Sequence, residues 1–583
     1  MRSKWFVVAS ILIVASMLLG ACNAGAPAGS ADPEKVLHLT FGPGDIPTLD
    51  PALGTDTSSI QIAIETFVGL TRADEVTNIV APGMASSWDV SEDGKVYTFH
   101  LRDDVPWVAY NPESGEVEKV EGCDGKDRMV TANDFYYGMI RTLTPETASD
   151  YAYVLAFAVA GGDAYNAGEG SVDEVGVKVV DDYTLEITFN EAAAYNAAIA
   201  GMWVAYAQPE WLIAGDECTE ALGDRWTETG NFQGYGPYAM KEWVHDSDIT
   251  LVANPYWPGT DEVPAPKINE VNWVFLDESP AFAEYEAGNL DVVGAPLADM
   301  DRIKSDPTLS AELVISPSFC TYYYGFNTAA PFTDDVRVRR ALSMAIDRQS
   351  LIDNVTKGEQ IPAQWFSTPG LAGAPTLEEY PDLGVKSDPE AAQAALQEYL
   401  DEEGITAADI DMTLMYNTSE GHQKIAEAIQ QMWKDTLGIE VKVVNQEWQV
   451  YLDTIRGADT PQIYRLGWCL DYADANNFIR EVFQLGGSAN PGDPEDPTQP
   501  LGGIAWYNEE FETLVQDAAK ELDAAKRVEM YAEAENMLVW EDAVMAPIYW
   551  YTTVSLTKPY VTRTWSTGGH QHIEKWDIDM SAK

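Results

Sequence analysis

The sequence predicts an α/β protein with mixed β-sheets. Short apolar or alternating segments, typical of strands, are interspersed along the chain with longer amphipathic segments, typical of helices. Hydrophobic residues make up 46% of the 583 residues and charged residues 22%, as in globular proteins. Aromatic residues make up 11%, more than a disordered acidic chain would carry. The length is enough for several domains with large apolar cores.

Apolar runs next to turn residues mark the strands of the first half of the chain. They lie at residues 36–41, 95–101, 175–189 and 251–253. The third of these runs predicts two strands around a turn at Asp181 and Asp182. The segment that begins at Val130 predicts a helix, because its apolar residues have helical spacing at Phe135, Met139, Ile140 and Leu143.

Helix start and stop residues stand out in the second half. Asp388 and Pro389 predict an N-cap and a first-turn proline, and the helix they open should end near Gly404. A second helix is expected over residues 422–437, ended by Gly438, and one long helix or two shorter ones over residues 508–540. The remaining expected elements are strands at 413–416 and 439–444 and long loops at 111–127 and 486–503.

Residues 1–21 have the pattern of an export signal. Arg2 and Lys4 precede an uncharged run that is too short for a membrane span and typical of a signal peptide. The run ends in Leu19-Gly20-Ala21-Cys22, which resembles the lipobox of bacterial lipoproteins. Cys22 is then acylated and becomes the first mature residue; the alternative is an ordinary signal peptide with an incidental cysteine. Residues 22–31 are small and polar and predict a flexible tether.

The cysteine count agrees with export. Without Cys22 four cysteines remain, and an even number in an oxidising compartment predicts two disulfides. Four cysteines allow three pairings, between which the residues alone do not choose. The chain has no CxxC pair, so zinc and dithiol redox sites are disfavoured. The four cysteines are Cys123, Cys218, Cys320 and Cys469.

The formal net charge of −59 excludes two classes of partner. Nucleic acids and anionic membrane surfaces both attract Lys and Arg, whereas this chain has 94 acidic residues against 35 basic ones. The same charge makes copies of the chain repel each other, so we expect a monomer.

Motifs for catalysis are absent from the sequence. It contains no G-x-S-x-G nucleophile motif, no phosphate loop ending in GK[ST] and no HExxH. Only His570 and His572 among the six histidines lie close together, and we expect them to be solvent-exposed. We therefore predict no catalytic residue, no metal site and no cofactor.

Separated blocks of sequence occur in a recognisable order. The longest runs from Asp335 to Arg348 and follows Phe326-Asn327 and Pro331-Phe332. The others are Leu49-Asp50-Pro51, segments from Trp88 to Trp107 and from Val130 to Phe135, and Gly234–Tyr238 with Asn254–Trp257. Together they resemble the signature blocks of peptide-binding proteins that serve ABC importers, and the chain is identified as a member of that family. The closest likeness is to oligopeptide-binding proteins, through residues 320–324, 445–454 and 465–472.

The resemblance implies a periplasmic-binding-protein-like fold, in which two lobes joined by crossing strands close on a ligand. Carried onto this chain, lobe I comprises residues 32–67, 176–319 and 548–583, subdomain II residues 68–175, and lobe III residues 320–547. The resemblance also implies a disulfide between Cys320 and Cys469, which leaves Cys123 to pair with Cys218.

The resemblance assigns the ends of a bound peptide to two charged residues. Asp471 matches the carboxylate that binds the peptide amine; alone, it could also be an exposed loop residue or the cap of the helix that begins near Asp474. Arg465 matches an arginine that meets the peptide carboxylate, for which its planar fork is suited. Its structural alternative is a salt bridge to one of the many acidic residues.

Other matched positions would line the cleft. Arg456 and, one position away from its match, Lys357 resemble further cations that meet peptide carboxylates. Main-chain groups of Gly467 and Cys469, flanking Trp468, resemble those that pair with an extended peptide, and Thr57 lies in the segment on the opposite side. Thr55 stands where the subgroup has an acidic residue, which puts a preference for basic side chains in doubt. Tyr137 and Trp448 match cleft-lining aromatics, for which plain core packing is the alternative.

The function implied is that of a lipid-anchored, exported substrate-binding protein. It would capture short peptides in the periplasm or on the outer face of the cytoplasmic membrane and deliver them to an ABC permease. The alternative is that the protein has the same fold but binds a non-peptide solute such as an oligosaccharide, a nickel complex or haem, as some relatives do. The more remote alternatives are an exported hydrolase and an adhesin.

Overall fold

The computed structural model describes residues 34–492 and 501–583. The predicted signal peptide, Cys22, the tether and the middle of the loop at 486–503 lie outside the described residues. Three sheets of four or more strands organise the rest, and helices cover them. The described chain is thus the α/β protein with mixed sheets that the sequence predicts.

The first sheet belongs to the N-terminal lobe. Val36–Phe41 pairs with Glu270–Phe275 in parallel, and the other two strand pairs are antiparallel. In spatial order its strands are Val36–Phe41, Glu270–Phe275, Asp248–Ala253 and Tyr238–Val244. Gly236, just before the last strand, is required there, because a Cβ atom would lie 2.5 Å from the carbonyl carbon of Thr66. This close packing accounts for Gly236, the second glycine of the block Gly234–Tyr238.

The second sheet extends through both lobes. Its two longest strands, Leu313–Phe326 and Met545–Thr557, pair along most of their length with irregular register after Pro317; we call them the crossing strands. Ile463–Cys469 pairs with the first of them. The spatial order is Val292–Gly294, Met545–Thr557, Leu313–Phe326, Ile463–Cys469, Thr413–Asn417 and Lys442–Gln446, with Ile361–Pro362 also on Met545–Thr557.

The third sheet is antiparallel, and two of its four strands lie in the predicted subdomain. Its strands are, in spatial order, Ala85–Val90, Val96–Leu101, Thr184–Thr188 and Val177–Asp181. The hairpin at 177–188 therefore continues the sheet of the predicted subdomain beyond the predicted boundary at residue 175. The sequence predicts the two strands of this hairpin and the strand at 95–101, but it does not predict that Thr184–Thr188 pairs with Val96–Leu101.

Three hairpins complete the strands. They are Thr71–Ala73 with Val80–Pro82, Val108–Asn111 with Glu116–Lys119, and Val561–Thr562 with Asp577–Ile578. The second lies in the region predicted as a loop at 111–127. The strand predicted at 439–444 begins later, at Lys442.

The helices agree closely with the predicted start and stop residues. Asp388 accepts a hydrogen bond from the Ala391 amide and opens Pro389–Glu403, which ends at Gly404 with φ of 66°. Residues 508–540 form two helices rather than one. The α-helices are Thr57–Thr66, Ala132–Leu143, Ala152–Ala158, Gly162–Asn166, Asn196–Ile199, Glu210–Ile213, Glu278–Ala287, Met300–Ser305, Leu309–Glu312, Val336–Met344, Arg348–Leu351, Pro389–Glu403, Glu420–Leu437, Trp448–Arg456, Ala475–Phe483, Glu509–Lys520 and Ala524–Asn536.

Shorter helical turns of other types connect these elements. The 3-10 turns are Pro145–Thr147, Val172–Glu174, Trp203–Ala205, Gly223–Thr227, Leu297–Asp299, Ala407–Asp409 and Ile573–Lys575, and the π turns are Ile352–Thr356 and Met537–Glu541.

The long block from Asp335 to Arg348 holds the second lobe against a crossing strand. Asp335 caps the helix Val336–Met344. The buried guanidinium of Arg339 donates to the carbonyls of Thr333, Asp542 and Ala543, and that of Arg348 donates to the carbonyl of Pro547. These arginines satisfy buried carbonyls and contribute to the fold rather than to a site.

Both predicted disulfides are present. Cys123 bonds to Cys218, and Cys320 bonds to Cys469. The second joins residues that face each other across the pair formed by a crossing strand and Ile463–Cys469. The pairing implied by the resemblance is confirmed.

Candidate functional site

Two cavities lie between the lobes. Their volumes are about 380 and 390 Å³, and Thr57, Trp448 and Arg465 line both, so they form one continuous cleft. The first cavity holds Asp471, Tyr151 and the Cys320–Cys469 disulfide. The second holds residues 42–44, Asn417 and His422. The size is that of a small-ligand site.

The strand Ile463–Cys469 presents an open edge to the first cavity. Its other edge pairs fully with a crossing strand, but Thr413–Asn417 pairs with it only at Ile463 and Tyr464. Among the described strands none covers the remaining edge, from Arg465 to Cys469. Gly467 lines the cavity there, where a Cβ atom would lie 3.3 Å from the Tyr551 hydroxyl. An extended ligand can add to such an edge as a further strand.

Asp471 lies just beyond the end of this edge and has no cation of its own. Its carboxylate accepts a hydrogen bond from Asn477 Nδ2 at 2.9 Å, and the Tyr151 hydroxyl lies 3.5 Å from it. No Lys, Arg or His of the described residues forms an ion pair with it. Burial raises the pKa of Asp471 to about 7. Asp474, not Asp471, caps the helix Ala475–Phe483, so the capping alternative is wrong.

Arg465 lies at the other end of the edge and between the two cavities. Its guanidinium donates to Asn417 Oδ1 at 3.1 Å and to the Tyr551 hydroxyl at 2.6 Å, and it stacks on the Tyr322 ring at 4.5 Å. Within residues 34–492 and 501–583 no carboxylate pairs with it, so the predicted salt-bridge alternative is not seen. Burial works to lower the pKa of Arg465, but the surrounding tyrosine hydroxyls raise it overall.

The two other predicted cations are already paired. Arg456 lines the first cavity and donates to Asp150 at 2.9 Å and to Thr55 at 3.2 Å. Asp150 and Thr55 lie across the cleft from it, so Arg456 joins its two sides. Lys357 lines neither cavity and pairs with Asp301 at 2.5 Å.

Of the three aromatic residues predicted at the site, two line the cleft and one does not. Trp468 is buried, lines the first cavity and stacks on Tyr151 with the ring planes at 11°. Trp448 begins a helix on which Leu452 and Arg456, at spacings of four, line the same cavity. Tyr137 lines neither cavity, so its predicted place in the cleft is not seen. It lies on the helix Ala132–Leu143, where burial raises its pKa.

Several cavity residues were not predicted. His422, whose pKa burial lowers well below the usual value, lies against the Tyr322 ring in the second cavity. His570 lines the first cavity, and burial lowers its pKa to about 3, so the expectation of exposed tail histidines is wrong. Tyr151 and Tyr551, which line the first cavity, were not predicted either. None of the four stands in a motif that marks it, and their places depend on tertiary packing.

Metal-binding groups are sparse in the part of the chain that is described. The one cluster of three candidate ligands there is Cys123, Asp216 and Cys218, and its cysteines are joined in a disulfide rather than free as thiolates. Among the described helices none combines the length and apolar character needed to cross a bilayer.

Comparisons with known proteins agree with this geometry. Residues 80–490 match the family model described as bacterial extracellular solute-binding proteins, family 5 Middle. The oligopeptide-binding protein OppA of Bacillus subtilis is 33% identical over 95% of each chain. The crystal structure of Haemophilus influenzae OppA in complex with RPPGFSPFR is 26% identical, with a TM-score of 0.79 over 94% of this chain and 99% of that one.

The arrangement of the lobes can also be compared. The unliganded open form of the periplasmic murein tripeptide-binding protein MppA is 28% identical but has a TM-score of only 0.60, over 94% of this chain and 98% of that one. The lower score against an open form agrees with the contacts that join both sides of the cleft here, such as that of Arg456 with Asp150. The fold, the interlobe cleft and the family match together show that the chain belongs to family 5 of the bacterial extracellular solute-binding proteins.

Proposed function

We propose that the protein is the substrate-binding component of an ABC importer and captures short peptides between its lobes. The observation that carries this proposal is the open strand edge from Arg465 to Cys469. It has an uncompensated carboxylate, Asp471, at one end and an uncompensated guanidinium, Arg465, at the other. A peptide is a zwitterion with a polar backbone, and it would complement all three features.

Each group has a defined role in this proposal. The Asp471 carboxylate pairs with the peptide amine, and Arg465 pairs with the peptide carboxylate. Main-chain groups of Gly467 and Cys469 bond to the peptide backbone, which gives affinity without regard to side chains. Trp468, Trp448 and Thr57 line the space for side chains. Arg456, held by Asp150 across the cleft, is available to a peptide carboxylate only if it exchanges partners.

The delivery of the peptide depends on the rest of the chain and on a partner. We propose that Cys22 carries a lipid anchor outside the cytoplasmic membrane and that the closed monomer docks on a permease. Lobe I would comprise residues 32–67, 189–319 and the C-terminal segment after the crossing strand, and the subdomain would extend from residue 68 to the hairpin that ends at Thr188. The protein itself is a binding protein and not an enzyme.

The replacement Asp471→Asn tests the amine site. We expect it to weaken free-amine tripeptides by about 2–5 kcal/mol, at least roughly 30-fold, because a buried ammonium would lose its charge partner. The affinity for N-acetylated tripeptides should be almost the same in the variant as in the unmodified protein. Titration calorimetry of refolded, ligand-free protein measures both, with the exposed Asp517→Asn as the matched control. Equal losses for both peptides would refute this role, and no binding of either by the unmodified protein would favour a non-peptide solute.

A further inference from the structure

A second carboxyl group lies directly behind Asp471. Asn477 Nδ2 donates to Asp471 Oδ2 and to Glu481 Oε2, both at 2.9 Å. Asn477 Oδ1 accepts from the Asp471 amide at 3.0 Å and from the Trp468 indole at 3.3 Å. All four hydrogen-bonding positions of the amide are filled, which fixes its orientation. The position of the Asp471 carboxylate therefore depends on Asn477, and that of Asn477 depends on Glu481.

The other oxygen of Glu481 is held by a chain of polar side chains. The Tyr472 hydroxyl lies 2.5 Å from Glu481 Oε1 and accepts from Asn476 Nδ2 at 2.8 Å. The Tyr531 hydroxyl donates to Asn476 Oδ1 at 3.1 Å and is contacted by Arg527. That guanidinium is engaged bidentately by Asp474 at the start of the helix. The chain thus ends in a satisfied ion pair and brings no cation to Glu481.

Two negative charges in this enclosure would be unfavourable. Glu481 is buried, and neither it nor Asp471 forms an ion pair with any described residue. The facing titratable groups are uncharged or engaged: Tyr151, Tyr153, Tyr195 and Tyr472 are neutral phenols, Arg456 pairs with Asp150, and Arg480 donates to Gln484. Burial raises the pKa of Glu481 to about 8 and that of Asp471 to about 7. Adjacent buried carboxyls of this kind do not both ionise near neutrality.

We propose that Glu481 remains protonated and is a positioning residue for the amine-binding carboxylate. Its neutral carboxyl group accepts from Asn477 at Oε2 and shares the hydrogen bond at Oε1 with the Tyr472 hydroxyl, and Asn477 in turn holds Asp471 toward the cavity. The site then offers one negative charge to one ammonium group. This inference rests on the proposed function, because it assumes that Asp471 receives the ligand amine.

The experiment compares Glu481→Gln and Glu481→Leu with the unmodified protein. The affinity for trialanine with a free amine is titrated from pH 5.5 to 8. A glutamine keeps an acceptor for Asn477 and an uncharged polar group beside Tyr472, so we expect affinity within about threefold and an unchanged pH profile. A leucine removes one of the four hydrogen bonds that hold Asn477, so we expect a loss of about tenfold, the magnitude of one lost buried hydrogen bond. The acid limb of its profile should move to higher pH, because the Asn477 hydrogen bond lowers the pKa of Asp471.

Two outcomes would overturn the proposal. A loss in Glu481→Gln as large as that in Asp471→Asn would mean that Glu481 supplies charge. A leucine variant with unchanged affinity and profile would mean that it positions nothing. The glutamine variant keeps the side-chain volume, so it tests the charge even if the leucine variant does not fold.

A second readout does not depend on peptide binding. The infrared difference spectrum at pH 7 between the unmodified protein and Glu481→Gln should show the band of a protonated carboxylic acid, which the replacement removes. Its absence would overturn the proposal even if Asp471 binds the amine, and its presence would stand even if the amine assignment fails.

Discussion

Arg465 brings a positive charge into the cleft without a carboxylate partner among the described residues. The Tyr322 ring, the Tyr551 hydroxyl and Asn417 compensate it only partly, since none of them carries a full negative charge at neutral pH. A buried cation in such surroundings gains much from an incoming anion, because water no longer screens their attraction. The structure thus leaves one uncompensated charge of each sign in the cleft, at Arg465 and at Asp471.

The replacement Arg465→Gln should therefore act on one end of the ligand. We expect tripeptides with a free carboxylate to lose about 2–5 kcal/mol of binding free energy and their C-terminal amides to lose far less. Titration calorimetry of the two peptides measures the difference. The exposed Arg302, which pairs with Glu286 far from the cleft, provides the matched Arg302→Gln control. A similar loss for both peptides would show that Arg465 only supports the fold.

At the residue scale, the sequence identified the cleft where a motif carried the residue. Asp471, Arg465, Gly467 and Trp468 lie in one continuous block and all line the first cavity. His422 and His570 stand in no such block, and their lowered pKa values result from packing against residues that are distant in sequence. Tyr137 was expected to line the cleft and lines neither cavity, because an aromatic residue on a helix packs against neighbours as readily as it lines a cleft.

Among the elements, the two disulfides restrain different parts of the molecule. Cys123–Cys218 links an exposed turn, which follows the strand Glu116–Lys119, to a residue 95 positions away, and neither cysteine lines the cleft. Cys320–Cys469 links a crossing strand to the open-edged strand and lines the first cavity. Loss of the first bond changes mainly the unfolded chain, whereas loss of the second also frees the binding edge.

The paired replacements Cys123→Ala and Cys218→Ala should lower the free energy of unfolding by about 2–5 kcal/mol and leave peptide affinity unchanged. Replacing Cys320 and Cys469 with alanine should lower both stability and affinity. Denaturant unfolding and calorimetry separate the two effects. If the first pair of replacements also weakened binding, the region around that disulfide would have to be coupled to the cleft.

Secondary structure was predicted correctly where neighbouring residues determine it and was missed where it depends on residues far apart in the sequence. Asp388, Pro389 and Gly404 determine the two ends of one helix through their own backbones, so the sequence predicts them. The hairpin Val108–Asn111 with Glu116–Lys119 is short and polar, and its composition resembles a loop. The pairing of Thr184–Thr188 with Val96–Leu101 spans a long stretch of chain, and no local signal records it.

For the whole molecule, the net charge of −59 opposes compaction. Buried acids add to this effect, because burial raises the pKa of Glu535 to about 7 and that of Glu481 to about 8. A carboxyl group with a raised pKa in the folded state contributes stability that is complete below its unfolded pKa and is lost as the pH rises through the folded value. Both effects favour the folded state on the acid side of neutrality.

We therefore expect the ligand-free protein to unfold at a higher temperature at pH 5.5 than at pH 8. Added sodium chloride should reduce this difference only in part, because salt screens surface charges well and buried groups much less. Thermal unfolding at low and high salt measures both contributions. Glu481→Gln should flatten the pH dependence, and the exposed Glu533→Gln should not. A protein that is more stable at pH 8 in low salt would contradict the expectation.

The contacts that join the two sides of the cleft also bear on how fast a ligand leaves. Arg456 with Asp150 and Tyr151 on Trp468 join the proposed subdomain to the second lobe, and Tyr195 on Tyr472 joins lobe I to it. A ligand enclosed behind them has no exit until they separate, so lobe opening sets an upper limit on the dissociation rate. Weakly held ligands should then share one shortest residence time, which lobe opening sets, and a protein that opens more easily would release them sooner.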